Sequence, residues 1–184
     1  MYSKTGYSRG IITNLSDALN INASQPGETV FCLENNRVLT FDGNLWMCDD
    51  FIRVTNNSGS SCIEGDLMEF NTSGTFSVIK TTGSTIRVAG PSIYPAANGS
   101  LTAVAFNGIY KIKVTNVVAG PANTIGWKVY ASGAGGPAGA GINQSNITVG
   151  FLGWTAEPVP FSGSDPLAFE TFKCLIRGKV EYST

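Results

Sequence analysis

The chain is predicted to be all-β, an antiparallel β-barrel or sandwich of Greek-key or tulip-like form preceded by a small N-terminal β-meander. Three observations carry this expectation. Short runs rich in Val, Ile, Thr, Phe and Tyr recur between Gly, Pro and Asn turn signals. No segment keeps a 3.6-residue period over a helical length. Residues 108–118 alternate, with Tyr110, Ile112 and Val114 set against Ile109, Lys111 and Lys113, as a half-buried strand requires.

Taken in order, residues 1–25 are expected to form an arm with one short helical turn. Tyr2 and Tyr7 stand among Ser, Lys, Thr, Gly and Arg9 with no strand or helix period, and Asn14 with Asp17 three positions on makes an N-cap signal over 14–20. The meander spans 26–57. Pro26 and Gly27 turn into a strand over 29–33, Asn35 and Asn36 turn the chain, 37–41 returns, and Asp42-Gly43 reads as a type I′ hairpin flanked by Leu39, Phe41, Leu45 and Met47. Trp46 is the expected anchor, because a lone hairpin is marginal unless a large side chain packs it down. Residues 56–61, polar and glycine-containing, read as a linker into a main domain over 58–184.

In that domain strands are expected at 62–70, 75–80, 84–89, 101–106, 108–118, 126–132, 147–156 and 172–181. The stretch 90–100, with Pro91, Pro95 and Asn98-Gly99, reads as a surface loop, and Pro158, Pro160 and Pro166 mark another. The loop 133–146 holds five of the chain's 22 glycines.

Composition narrows the function. At 184 residues the chain is long enough to bury a core without staples. Charged residues make up 14%, against the roughly 25% usual in soluble domains, so much of the surface is neutral and polar. A net charge of −1 with scattered Lys and Arg leaves no basic stripe for nucleic acid. No apolar run approaches the roughly 18 residues of a membrane span, no segment reads as a basic membrane-surface helix, and the polar residues 1–10 lack the regions of a signal peptide, so synthesis in the cytoplasm is the expectation. Cys32, Cys48, Cys62 and Cys174 lack CxxC or metal-like spacing and read as small core residues. The Asn-x-Ser/Thr triplets, at Asn71 and Asn146 for example, read as turn and edge composition.

The candidate chemistry is thin. Gly133, Gly135 and Ala138 satisfy a permissive G-x-G-x-x-A pattern, but no helix follows to receive a pyrophosphate, so no nucleotide is expected. The absence of histidine removes Ser-His-Asp and Cys-His systems and any His-ligated zinc. The acid pairs Asp49 with Asp50, Glu64 with Asp66, and Glu157 with Asp165 read as solvated turns rather than glycosidase pairs. A calcium site at Asp42, Asn44, Asp49 and Asp50 lacks the EF-hand glycine and terminal Glu. Trp46, Trp127 and Trp154, the residues a carbohydrate would stack on, all lie in strand patterns and read as packing. No catalytic residue, cofactor or metal is expected.

From Glu64 onward the sequence resembles the capsid decoration, or cement, proteins of tailed bacteriophages. The resemblance rests on Glu64-Gly65-Asp66-Leu67, on Phe106-Asn107-Gly108-Ile109-Tyr110, on Gly126-Trp127-Lys128-Val129-Tyr130-Ala131-Ser132 before a glycine-rich loop, and on Val149-Gly150-Phe151-Leu152-Gly153-Trp154. The text of 26–46 is similar to small β modules of phage virion proteins. The resemblance implies a non-enzymatic homotrimer on the capsid surface that contacts the major capsid protein and bridges capsomers. Tyr2, Tyr7 and Arg9 of the arm, and Gly133, Gly135, Gly136 and Pro137 of the loop, are the candidate intersubunit or capsid contacts, since small residues allow close backbone approach. The alternative expectation is a tail-associated or receptor-binding β module that recognises host glycans.

Overall fold

A computed structural model describes residues 8–22, 25–73, 75–81, 87–115, 128–131, 141–142, 151–156 and 169–176. Those residues are mostly β, with one short 3-10 helix. The first sheet has the order β1 (Ser8–Ile12), β2 (Thr29–Cys32), β3 (Arg37–Phe41), β4 (Trp46–Met47). Residues 8–12, expected as irregular arm, are thus an edge strand, and it runs parallel to β2. A parallel pair needs a crossover, and the connection carries the 3-10 helix Leu15–Asn20, where Asp17 accepts the Asn14 N–H at 2.9 Å. The cap signal at Asn14 is therefore legible in the sequence even though the strand before it is not.

The Asp42-Gly43 turn differs from the expected type I′ form. Only Gly43 has positive φ, and Asp42 Oδ1 accepts the N–H groups of Asn44 and Leu45 at 2.8 and 2.9 Å. The carboxylate organises a wider turn, and its other oxygen takes Arg53 at 2.9 Å.

The second sheet comprises β5 (Phe51–Asn56), β6 (Leu67–Phe70), β7 (Ser77–Lys80), β8 (Val88–Pro91) and β9 (Leu101–Ala105), in the order β8-β6-β7-β5-β9. Because β5 hydrogen-bonds to β9 and β7, the first sheet ends before Phe51. The expected linker at 56–61 is fastened down: Asn56 is fully buried, and its Nδ2 donates to the carbonyls of Ser60 and Ala96 at 2.9 and 3.0 Å. The expected surface loop 90–100 is in part core. Pro91 ends edge strand β8, where its missing N–H costs no ladder bond, and Ser92, Ile93 and Tyr94 are all buried. A bridge from Ser92 to Val104 brings this segment against β9.

The remaining strands are β10 (Gly108–Thr115), β11 (Lys128–Ala131), β12 (Gly141–Ile142), β13 (Phe151–Thr155) and β14 (Phe169–Ile176). β10 pairs antiparallel with β14 along its whole length, β14 with β13, β13 with β11, β11 with β12, and β12 with β10 in parallel. At two residues β12 links this circuit without forming a full wall; it lies in the stretch 133–146 that reads as loop in the sequence. With parallel pairs at β1·β2, β5·β7 and β10·β12, the sheets are mixed and the purely antiparallel expectation is corrected.

One core cluster joins all three groups of strands, with Leu15, Val30, Leu39, Trp46, Tyr94, Tyr110, Ile112 and Ile176 among its members. A second lies within the second sheet around Val54, Met68, Val78 and Val104. Cys32, Cys62 and Cys174 are buried, as small core residues, and Cys48 is half-buried. Burying a Leu, Ile or Val side chain is worth about 1.5–3 kcal/mol, so these contacts rather than crosslinks hold the described strands together.

Candidate interaction surface

The outer face of the first sheet is built by the alternation of β2. Val30 and Cys32 point into the core, which sends Thr29 and Phe31 to the opposite side. Strand register then sets Ile11 beside Phe31 and Phe31 beside Val38, a row of apolar side chains across three strands. Leu33 lies two residues beyond Phe31. Ile11 is 69% exposed, Leu33 56% and Val38 54%. The row reaches the edge strand β1, which pairs with β2 alone among the described residues. Contiguous exposed apolar side chains on a folded domain mark contact surfaces, whereas isolated ones do not.

Arg9, the one predicted contact residue that falls within the described residues, sits on β1 with its guanidinium turned to Glu28. Nε and one Nη donate to the two carboxylate oxygens at 3.0 and 2.7 Å. The hydrogen bond and the charge of Glu28 raise the Arg9 pKa. Arg9 therefore fastens β1 to the strand beside it. Tyr2, Tyr7, Gly133, Gly135, Gly136 and Pro137 lie outside the described residues. The row Ile11, Phe31, Leu33 and Val38 is missed in the sequence, where 29–33 reads only as a strand. Its signal is the unbroken apolar run Val30-Phe31-Cys32-Leu33: in a strand, such a run cannot put every side chain on one face.

Behind this surface two buried carboxylates tie the groups of strands together. Asp50 accepts from Arg37 Nε at 2.6 Å, Asn107 Nδ2 at 2.9 Å and the Tyr110 hydroxyl at 3.3 Å. Burial pushes its carboxyl up, but these hydrogen bonds and the Arg37 charge outweigh burial and hold it below the usual range. Asp66, fully buried, takes Lys113 Nζ at 2.7 Å and Lys80 Nζ at 3.3 Å. Glu64, its neighbour in sequence, instead shares Lys111 with Glu34, each carboxylate at 3.4 Å. Burial lowers the Lys111 pKa, and Glu64 and Glu34 more than restore it.

The acid pairs considered in the sequence are thus divided among separate ion pairs. Asp50 serves Arg37, and Glu64 and Asp66 serve different lysines. Glu157 and Asp165 lie outside the described residues, as does the glycine pattern at 133–138. Of the candidate calcium ligands, Asp42 is taken by Arg53 and Asp50 by Arg37. Among the described residues no group of three or more acidic or Cys residues is placed to hold a metal ion. Trp46 is buried at 3% exposure and tilts against Phe41 with ring centroids 5.4 Å apart, so it packs as the anchor of the first sheet. Trp127 is not described, and Trp154 is half-buried.

Among the described residues no helix is long and apolar enough to cross a membrane. Neither a protein-family model nor a curated protein matches the chain.

Proposed function

We propose that the protein is a non-enzymatic structural component of a virion, one that binds the outer surface of a phage capsid and stabilises it by bridging capsomers. The observation that supports this reading is the apolar row Ile11–Phe31–Val38, carried on a sheet that ion pairs and a shared core hold to the rest of the chain. A row of this kind suits contact with another protein surface, where its desolvation contributes on the order of 1 kcal/mol for each side chain covered. A rigid scaffold keeps the entropy lost on binding small. In the same reading the circuit of β10, β12, β11, β13 and β14 is a small tulip-like barrel, the chain assembles as a homotrimer, and its partner is the major capsid protein. A glycan-binding reading has less support, because Trp46 is spent in the core.

The test uses purified protein added back to heads depleted of it. The protein co-sediments with heads and raises the temperature at which they disrupt. Ile11→Glu combined with Val38→Glu keeps the far-ultraviolet circular dichroism spectrum and abolishes co-sedimentation. Failure of the wild-type chain to bind heads overturns the function. Undiminished binding by the double variant overturns the surface.

A further inference from the structure

The three groups of strands meet around a small cavity with charged and polar groups at one side and Leu15, Ile93 and Ile109 at the other. Glu34 and Asn35 reach it from the turn between β2 and β3, Glu64 from the turn before β6, and Lys111 and Lys173 from the paired strands β10 and β14. Glu34 also accepts the Leu15 backbone N–H at 3.0 Å, so the 3-10 helix is attached at the same point. Within this junction the side chain of Asn35 stands out. Its amide oxygen and nitrogen are both buried, and neither has a hydrogen-bond partner among the described residues.

An amide buried without partners is costly. A donor or acceptor buried without a partner loses its hydration with nothing in return, and the large majority of buried side-chain polar atoms in folded proteins are satisfied. Glu34 and Glu64 offer acceptors at the rim, but both carboxylates are already engaged with Lys111. The cavity offers about 10 Å³ to the centre of a water-sized sphere. A single water needs about 10–15 Å³ on this measure and two to four polar partners.

The charge balance decides between the small occupants. Glu34 and Glu64 supply two negative charges, and Lys111 and Lys173 two positive ones. The Lys111 ammonium already stands between the two carboxylates, where a metal ion would otherwise be drawn. A neutral molecule that both donates and accepts is what the remaining groups match, since Asn35 presents one of each.

We propose that this junction is a specific site for one ordered water, held by the Asn35 amide and bridging it to the Glu34–Lys111–Glu64 ion-pair network. The water completes the polar contact among the three groups of strands, and Asn35 is its positioning residue. The β2–β3 turn that presents Asn35 belongs to the same sheet as the exposed apolar row.

The experiment is water-to-protein cross-relaxation by nuclear magnetic resonance on isotopically labelled full-length protein. The Asn35 side-chain NH₂ protons give cross-peaks to water with the sign of a molecule that tumbles with the protein. In Asn35→Leu, water gives no such cross-peaks at the methyls of the introduced leucine. The wild-type arm stands alone should that variant fail to fold. Wild-type Asn35 protons without these cross-peaks overturn the proposal. So does a saturable shift of the Asn35 resonances on titration with sodium, potassium or calcium chloride, which would make the occupant a cation.

Discussion

The hydroxyl of Tyr94 donates a 2.6 Å hydrogen bond to the backbone carbonyl of Trp46. Tyr94 is 1% exposed and belongs to the segment that leads into β9, while Trp46 anchors the first sheet. Burial holds the phenol neutral by pushing its pKa far up, so it remains a donor at neutral pH. One side chain thus links two sheets by area and by a directed bond.

Tyr94→Phe keeps the ring and removes the donor. The Trp46 carbonyl then lacks this hydrogen bond in a buried setting, at a cost of about 1–3 kcal/mol. Urea denaturation followed by tryptophan fluorescence gives a lower midpoint at unchanged slope. An unchanged midpoint would show that another group takes over the carbonyl.

Asp66→Asn removes the carboxylate charge that both Lys113 and Lys80 contact, with side chains 15% and 20% exposed. Removing one partner of a largely buried pair costs about 3 kcal/mol or more. Thermal unfolding shows a clear fall in midpoint. A loss below about 0.5 kcal/mol, typical of surface substitutions, would mean that both lysines reach water without it.

Asp50 makes stability depend on acid. Its folded pKa lies below the usual value, taken as about 3.9 in the unfolded chain. Its contribution is therefore fully present above the unfolded pKa and is lost as pH falls through the folded one. Asp42 is depressed too: burial raises it, and hydrogen bonds from Leu45 and Asn44 with the Arg53 charge outweigh that. Urea titrations of wild type and Asp50→Asn differ most at about pH 7, and the gap narrows below about pH 4. A gap independent of pH would place the effect in packing rather than charge.

Gly90→Ala is expected to abolish the fold of the second sheet. Gly90 has φ +133°, and a Cβ there would sit 1.8 Å from the Ala105 carbonyl oxygen. That oxygen is backbone in β9, so relief requires β8 and β9 to separate. The variant is predicted to be insoluble or to lack native circular dichroism. Native-like dispersion in its amide spectrum would show that the two strands have room to part.

How much of this is readable in the sequence follows from where each signal is local. The β10 alternation, the Asn14–Asp17 cap and the Trp46 anchor are local, and all three are found. Tyr94 is misread because Pro91, Pro95 and Asn98-Gly99 describe turns, whereas its burial depends on a carbonyl 48 positions away. β1 is missed because Gly10, at φ +100°, interrupts its alternation at a register shift, and because its partner is parallel and lies beyond a crossover. Asp66 and Glu64, close neighbours in the sequence, take separate lysines only because the alternation of β10 meets a turn of the second sheet. The apolar row needs register as well as pattern, since nothing in 8–12 says that Ile11 stands beside Phe31.

The Asp66–Lys113 pair also has a consequence for how the chain is made. The two residues are 47 positions apart, and synthesis proceeds at about 5–20 residues per second, so the acid emerges seconds before this partner. Lys80 arrives first and gives partial relief. Until β10 leaves the ribosome, Asp66 has only the longer of its two lysine contacts, 3.3 Å to Lys80 against 2.7 Å to Lys113. The full set of ion pairs on this buried acid is thereby tied to the arrival of β10.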